Sequence, residues 1–434
     1  MPDDDPFIEY LPIILRSDPA RVVIRPFIPA DDPSEHAPRD RPRAQRIADR
    51  VLALDDNVLQ TEILRVTAGL SERHDDVAHM LLRRFHEVNG VLIKHQAITD
   101  EQALLIGAYF SEEYAYEAAA LLNPSIVPHP DQTSVSAGDV RFVLSLRGVG
   151  EGHISSVAFR TGVCHADGSI VVEPPGLQAI APRIEPIPGG APGDSGVRLI
   201  CENGGDLSQI VISPTTPHQR HGIEDMRLVR FADDDGNMTY FGTYTAFSGQ
   251  AIRQEILRTT DFSTFELLPL RGDAASGKGM ALFPRRIDGR FAMLGRQDHE
   301  SIWLLTSSDL YDWNGGASIV APRWPWEFVQ MGNCGSPIEI DEGWLVITHG
   351  VGAVRSYCIG ACLMDRDDPA KLLARTTLPL IRPSPEQRYG YVPNIAYTCG
   401  AMVHGRTLVL PYALADSFTT FATVPLDRLL ANMA

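Results

Sequence analysis

No apolar stretch among the 434 residues approaches the ~20 needed to cross a bilayer, so no transmembrane helix is expected. Met1-Pro2-Asp3-Asp4-Asp5 opens without a basic start or an apolar run behind it, which is not the pattern of a signal peptide. Cysteine is scarce. Cys164, Cys201, Cys334, Cys358, Cys362 and Cys399 are scattered with no CxxC pair, the usage of reduced, buried thiols in a cytoplasmic protein. Positive charge is in deficit, with 38 Lys and Arg against 55 Asp and Glu, a net of −17. Such a chain has no broad basic field to attract nucleic acid or an anionic membrane. A small anion is different, because a few inward-facing arginines can bind phosphate inside an acidic protein.

Several common catalytic signatures are missing too. His74 and His79 are five apart, where a zinc-binding helix needs four, and no other ligand spacing supports a metal site. No GxSxG elbow is present, which weakens a serine-hydrolase reading. Gly272 to Gly279 nearly fits a phosphate-binding P-loop, but Lys278 is followed by glycine where a hydroxyl is needed for Mg²⁺. A strand-turn-strand pattern with Pro284 follows, where a P-loop requires a helix.

What is present changes character along the chain. Up to about residue 120 the pattern is helical. Ala44–Leu54, Val58–Leu70, Asp75–Val88 and Ile98–Leu122 carry apolar residues at three-and-four spacing, and the last has a capping start at Thr99. Arg21 to Asp40, rich in Pro and Asp, reads as an extended arm. From Asn123 onward a repeat takes over: apolar strand, tight turn, second apolar strand, polar tip. The turns fall at Asp235-Gly236, Asp288-Gly289, Glu342-Gly343 and His404-Gly405, and a looser first copy runs from Asn123 to Arg147. Five copies predict an all-β, five-bladed β-propeller over residues 121–434, with residues 1–120 forming an N-terminal arm and an α-helical extension.

In a propeller the inner strands converge at one mouth, so equivalent positions of different repeats meet. Those positions hold Asn123, Arg147, Glu224, Asp225, Arg227, Lys278, Arg296, His349, Asn394 and Asp416. A channel that only needed filling would not require such residues, although turn caps and ion pairs between blades are the plainer alternative. Glu224-Asp225 beside Arg227 fits acid/base work on a sugar, and equally an Asp–Arg pair closing a turn.

At these residues the chain resembles glycoside hydrolase family 130, the β-mannoside phosphorylases and β-mannosidases, over about residues 120 to 420. Glu224-Asp225-Met226-Arg227 is similar to the family's Glu-Asp-Pro-Arg signature, with Met in place of Pro. Asn123-Pro124-Ser125, Lys278 before Ala281 to Pro284, Gly343-Trp344-Leu345 with His349-Gly350, Asp365 to Pro369, Gly390 to Asn394 and Tyr412 to Asp416 follow in order. The resemblance implies Asp225 as general acid, with Asn123, Arg147, Glu224, Lys278, Asn394 and Asp416 holding the sugar. It implies Arg227, Arg253, Arg296 and His349 as a phosphate site. No metal or cofactor is implied, only inorganic phosphate as co-substrate for inverting phosphorolysis of a β-mannoside to α-mannose 1-phosphate. A hydrolase on the same fold would need a base, for which Glu151 is the candidate; a non-catalytic carbohydrate-binding propeller is the other alternative. Related enzymes are often oligomeric, so a homo-oligomer is expected.

Overall fold

The structure, a computed structural model, describes residues 7–30, 41–89, 97–188, 195–201 and 206–434. The chain divides into two compact units. One comprises Ala20–Ala115 with Leu177–Ala181, and the other the residues through Pro19, Tyr116–Gly176 and Pro182–Ala434. No helix among the described residues is long and apolar enough to cross a membrane.

The smaller unit is mostly helical. Arg43–Leu52, Asp56–Ser71, Val77–Asn89 and Asp100–Tyr109 enclose a core built from Val51, Leu59, Phe85, Leu105, Ile106 and Phe110. The first three match the periodicity closely. The fourth starts where Thr99 caps it, its hydroxyl accepting from the Gln102 N–H, but it ends at Tyr109. The expected continuation to Leu122 does not form. Ser111–Ala115 instead pairs antiparallel with Val22–Pro26, so part of the expected arm is a strand. Residues 31–40 of that arm lie outside the described residues. Strand pairing has here overridden the helix propensity of a Glu- and Ala-rich segment.

The larger unit is built from antiparallel meanders. An 11-stranded sheet contains two of them, Ala120–Pro128 to Cys164 and Gly222–Ala232 to Pro269, joined by a single parallel bridge between Gly222 and Ser155. Ala281–Leu282 to Val320 forms a 4-stranded sheet, and Gln330–Asn333 to Arg375 a 5-stranded one. The last sheet runs from Ala396–Tyr397 to Phe418–Pro425 and is completed by Glu9–Leu15 pairing with Phe418–Pro425. That strand was not foreseen: the boundary expected at residue 120 assigns it to the extension, whereas it belongs to the sheet-rich unit. The turns at Asp235-Gly236, Asp288-Gly289 and His404-Gly405 fall between paired strands, and Gly236, Gly289 and Gly405 have the positive φ such turns require. The near-P-loop is a short 3₁₀ turn, Asp273–Ser276, leading into a strand. Apolar faces stack between neighbouring sheets, as where Phe283, Met331 and Trp344 share one core.

Candidate active site

Each meander contributes to one constellation from the same two places: its first strand, and the far end of its second. The first strands, or the residues flanking them, carry Asn123, Asp225 with Arg227, Lys278, Asn333 and Tyr397. The second strands carry Arg147, Thr245, Arg296, His349 and Asp416 at or just beyond their far ends. Two of the first strands break register at the same point. The pairing slips between Leu122 and Ser125 opposite Arg147, and between Glu224 and Arg227 opposite Thr245. The residues at those bulges, Asn123 (φ 50) and Asp225 (φ 56), sit in the left-handed region. A bulge re-aims a side chain, and Asn and Asp tolerate this backbone better than other non-glycine residues. Asp416 (φ 47) reaches the same conformation in a tight turn with Ala415.

Asp225 is the hub. Its Oδ1 accepts from Asn123 Nδ2 at 2.6 Å and from Arg147 Nη1 at 2.9 Å. Arg147 also donates through Nη2 to Glu224 at 2.8 Å and through Nε to the Ser155 hydroxyl at 2.8 Å. Lys278 Nζ donates to the other Glu224 oxygen at 3.1 Å. Burial opposes ionisation of Asp225, but Arg147, Arg227, the Asn123 amide and Lys278 together hold its carboxyl below the usual range. Asp416 behaves oppositely. Burial, and then the charge of Asp225, push it up to about 6 against the partial relief of Arg147 and Arg355. Two carboxyls in one neighbourhood are thus driven apart, Asp416 taking up a proton at a higher pH than Asp225.

Beside Asp225 lies a small cavity lined by Arg227, Thr245, Lys278, Arg296, Asn333, His349 and Tyr397. Arg227 is 3% exposed, and its Nη2 donates to the Tyr397 hydroxyl at 2.9 Å. The Nε groups of Arg227 and Arg296 are buried with no hydrogen-bond partner. Burial, Arg296 and Arg227 hold His349 well below the ordinary histidine value, so it is uncharged. Burial pushes Tyr397 well above the ordinary phenol value, so its hydroxyl keeps its proton.

Other expected residues lie elsewhere. Arg253 binds Glu255 through Nε at 2.9 Å and does not line the cavity, which departs from the phosphate-binding role expected of it. Its strand is the third of its meander, away from the convergent ends. Glu151 is exposed in a short 3₁₀ turn, Glu151–His153, and is not part of the lining. Asn394 (φ 63) precedes the last sheet's first strand and accepts a backbone bond from Tyr357 N–H at 2.9 Å. Thr245, Asn333 and Tyr397 were missed. Thr245 occupies the repeat position of Arg147 and His349, a signal the sequence carried. Asn333 was hidden because the strand next to the Glu342-Gly343 turn is Ile338–Ile340, whereas Gln330–Asn333, further from the turn, pairs with the convergent half of the second strand.

Known proteins resemble this chain in sequence and in fold. Among curated relatives, a 1,2-beta-oligomannan phosphorylase from Thermoanaerobacter sp. is 31% identical over 217 residues, 49% of this chain and 71% of the relative. A beta-1,2-mannobiose phosphorylase from Listeria innocua is 29% identical over 231 residues, 51% of this chain and 62% of the relative. The solved structure of a beta-1,2-mannobiose phosphorylase from Listeria innocua superposes with a TM-score of 0.53 at 19% identity, covering 72% of this chain and 92% of that one, a likeness of fold. The family described as glycoside hydrolase 130, beta-1,4-mannooligosaccharide phosphorylase, matches residues 203–434. Asn123 and Arg147 precede that range, yet both hydrogen-bond Asp225 within it. The chain belongs to glycoside hydrolase family 130.

Proposed function

We propose that the protein is an inverting β-mannoside phosphorylase on a five-bladed β-propeller, with the five meanders as its blades. Inorganic phosphate is the co-substrate, with no other cofactor, and the enzyme works as a homo-oligomer in the cytoplasm. The observation that carries this reading is the cavity beside Asp225, where buried guanidinium groups of Arg227 and Arg296 have N–H donors without partners. Burying cations together is costly unless an anion offsets them, and water supplies no such charge. Phosphate does, and the planar fork of arginine suits its oxygens.

In this mechanism a phosphate oxygen attacks C1 of the mannosyl ring from the face opposite the leaving sugar. The C1–O bond to that sugar breaks, and the leaving oxygen takes a proton from Asp225, directly or through a sugar hydroxyl. Hydrogenphosphate and mannoside become α-mannose 1-phosphate and the free sugar, so the P–OH hydrogen balances the one delivered to the leaving oxygen. The low proton affinity of Asp225 fits this order of events. With the cavity empty, Arg227 and Lys278 help to keep it ionised. A phosphate bound against those cations offsets their charge and raises the proton affinity of Asp225, so the co-substrate readies the acid. Asn123, Arg147, Glu224 and Asp416 then hold the sugar hydroxyls. The relatives' names suggest β-1,2-linked mannobiose or oligomannan as the first substrates to try.

The test incubates the protein with β-1,2- and β-1,4-mannobiose and with β-mannosyl-glucose, with and without phosphate. Phosphate-dependent release of α-mannose 1-phosphate is expected. Equal turnover to free mannose without phosphate overturns the reading in favour of hydrolysis, with Glu151 the first base to test. Sugar binding without turnover would point to a non-catalytic propeller.

A further inference from the structure

The turn that follows Val140–Val149 enters the next strand, Ser155–Cys164, at a buried serine. Val149 pairs with Ser155, so Ser155 lies diagonally from Arg147 on the same face of the sheet. Its hydroxyl accepts from Arg147 Nε at 2.8 Å. Ser155 also makes the parallel bridge to Gly222 that joins this meander to the next. A Cβ at Gly222 would meet Ser155 Cβ at 3.0 Å, so glycine is what lets the two strands close there. Asp225 follows Gly222 on the same strand. The contacts form a closed circuit, from Gly222 to Ser155, to Arg147, to Asp225 and back along the chain to Gly222.

This circuit fixes how Arg147 spends its donors. A guanidinium pairs most strongly with a carboxylate when two parallel N–H groups meet both oxygens of one partner. Arg147 does otherwise. Its Nη1 goes to Asp225 at 2.9 Å and its Nη2 to Glu224 at 2.8 Å. With Nε tied to Ser155, the guanidinium plane cannot turn to offer one carboxylate two donors. The result is visible at Asp225. Among the described residues, both hydrogen bonds to its carboxyl fall on Oδ1, one from Arg147 and one from Asn123. Oδ2 is the oxygen left to face the leaving group.

We propose that Ser155 is a positioning residue for the acid: by holding Nε it keeps the Arg147 fork divided between Glu224 and Asp225, so that Oδ2 of Asp225 stays available as the proton donor. Without the hydroxyl, Arg147 turns to grip Asp225 with two N–H groups, one on each oxygen. That grip engages Oδ2. It also tightens the hold of a cation on the carboxylate, so the acid gives up its proton at a lower pH. The inference rests on Asp225 being the acid of the proposed reaction, and it adds a residue that acts on that acid through Arg147.

Ser155→Ala in the full-length protein tests it, with turnover of the best mannobiose followed at saturating phosphate from about pH 4 to pH 9. The variant's kcat should fall about tenfold or more, while KM for mannobiose moves less than about threefold. The alkaline limb of the kcat profile should shift down by about one pH unit. Simple loosening of the fold would lower activity without moving that limb. A crystal structure of the variant should show Arg147 with two donors on Asp225. Should Ser155→Ala not fold, Ser155→Cys, whose thiol is a weak acceptor, carries the same expectations. The inference is overturned if kcat stays within about twofold of the wild type, or if it falls with the limb unmoved. It is overturned equally if Arg147 of the variant remains divided between Glu224 and Asp225. A wild type that turns over equally without phosphate defeats the phosphorylase reading alone, since the same limb is then read on hydrolysis. One with no turnover at all defeats both.

Discussion

Two groups of buried charges in the larger unit differ instructively. Arg375 and Glu327, with side chains 5% and 0% exposed, meet at 2.6 Å. Both partners make further contacts. Arg375 donates to the Ala321 carbonyl at 3.0 Å, and Glu327 accepts from the N–H groups of Arg323 and Trp324, each at 2.8 Å. The cavity beside Asp225 buries Arg227 to a similar depth but leaves its Nε, the Nε of Arg296 and the Oδ1 of Asn333 without partners. A buried ion pair alone therefore does not mark a functional site. What sets the cavity apart is that unmet hydrogen-bonding groups of two arginines and an asparagine line one space, where a ligand can meet them together.

Mutation should separate the two groups. The largest effect is expected from Asp225→Asn, a fall in kcat of about 10²–10⁴-fold, the usual contribution of a general acid. Circular dichroism should show the fold retained. Next, Arg375→Met should cost about 3–5 kcal/mol in urea unfolding, because it strands Glu327 in the interior. Arg296→Met strands no carboxylate. It should change stability by less than about 1 kcal/mol while raising the phosphate KM at least about tenfold. Equal destabilisation by both would erase the distinction.

Asp416 sharpens the contrast through pH. Its folded pKa of about 6 lies above the ordinary 3.8, so between these values the folded state holds more protons than the unfolded. Stability attributable to Asp416 therefore falls as pH rises through that window and stays low above it. Asp416→Asn should remove the dependence and stabilise the protein at pH 7 by up to about 3 kcal/mol, while reducing turnover. Asp225, with its pKa depressed, contributes with the opposite sign: its stability is present above the unfolded value and lost as pH falls. Thermal denaturation from about pH 2 to pH 8 resolves the two. Phosphate at a hundred times its Kd should stabilise the wild type by about 2.7 kcal/mol, and Arg296→Met much less. The smallest effect is expected from Glu151→Gln, within about twofold in phosphorolysis rate.

Much of this was legible in the sequence, for a physical reason. Strand-turn-strand copies repeat, so Asn123, Asp225, Lys278, Arg296, His349 and Asp416 could be aligned with one another without knowing any contact. Legibility failed where tertiary pairing outweighed local preference. Ser111–Ala115 has helix-favouring residues but follows Val22–Pro26 into a ladder. Glu9–Leu15 finds its partner some 400 positions away, beyond any local pattern. Arg253 looked equivalent to the other arginines by charge alone, but it sits on a third strand whose neighbour Glu255 claims it.

The pairing of Glu9–Leu15 with Phe418–Pro425 also bears on how the chain is made. On a ribosome the strand that finishes the last sheet emerges first, and its partner follows after nearly the whole chain. At ordinary elongation rates that is a delay of roughly 20–80 s. During this interval the intervening meanders can form from neighbours in sequence, while the first strand waits with Tyr10 and Ile14 exposed even in the finished fold. Loss of the first strand would spare every earlier sheet and leave the Phe418–Pro425 edge open, a surface on which another nascent chain could add its own strand.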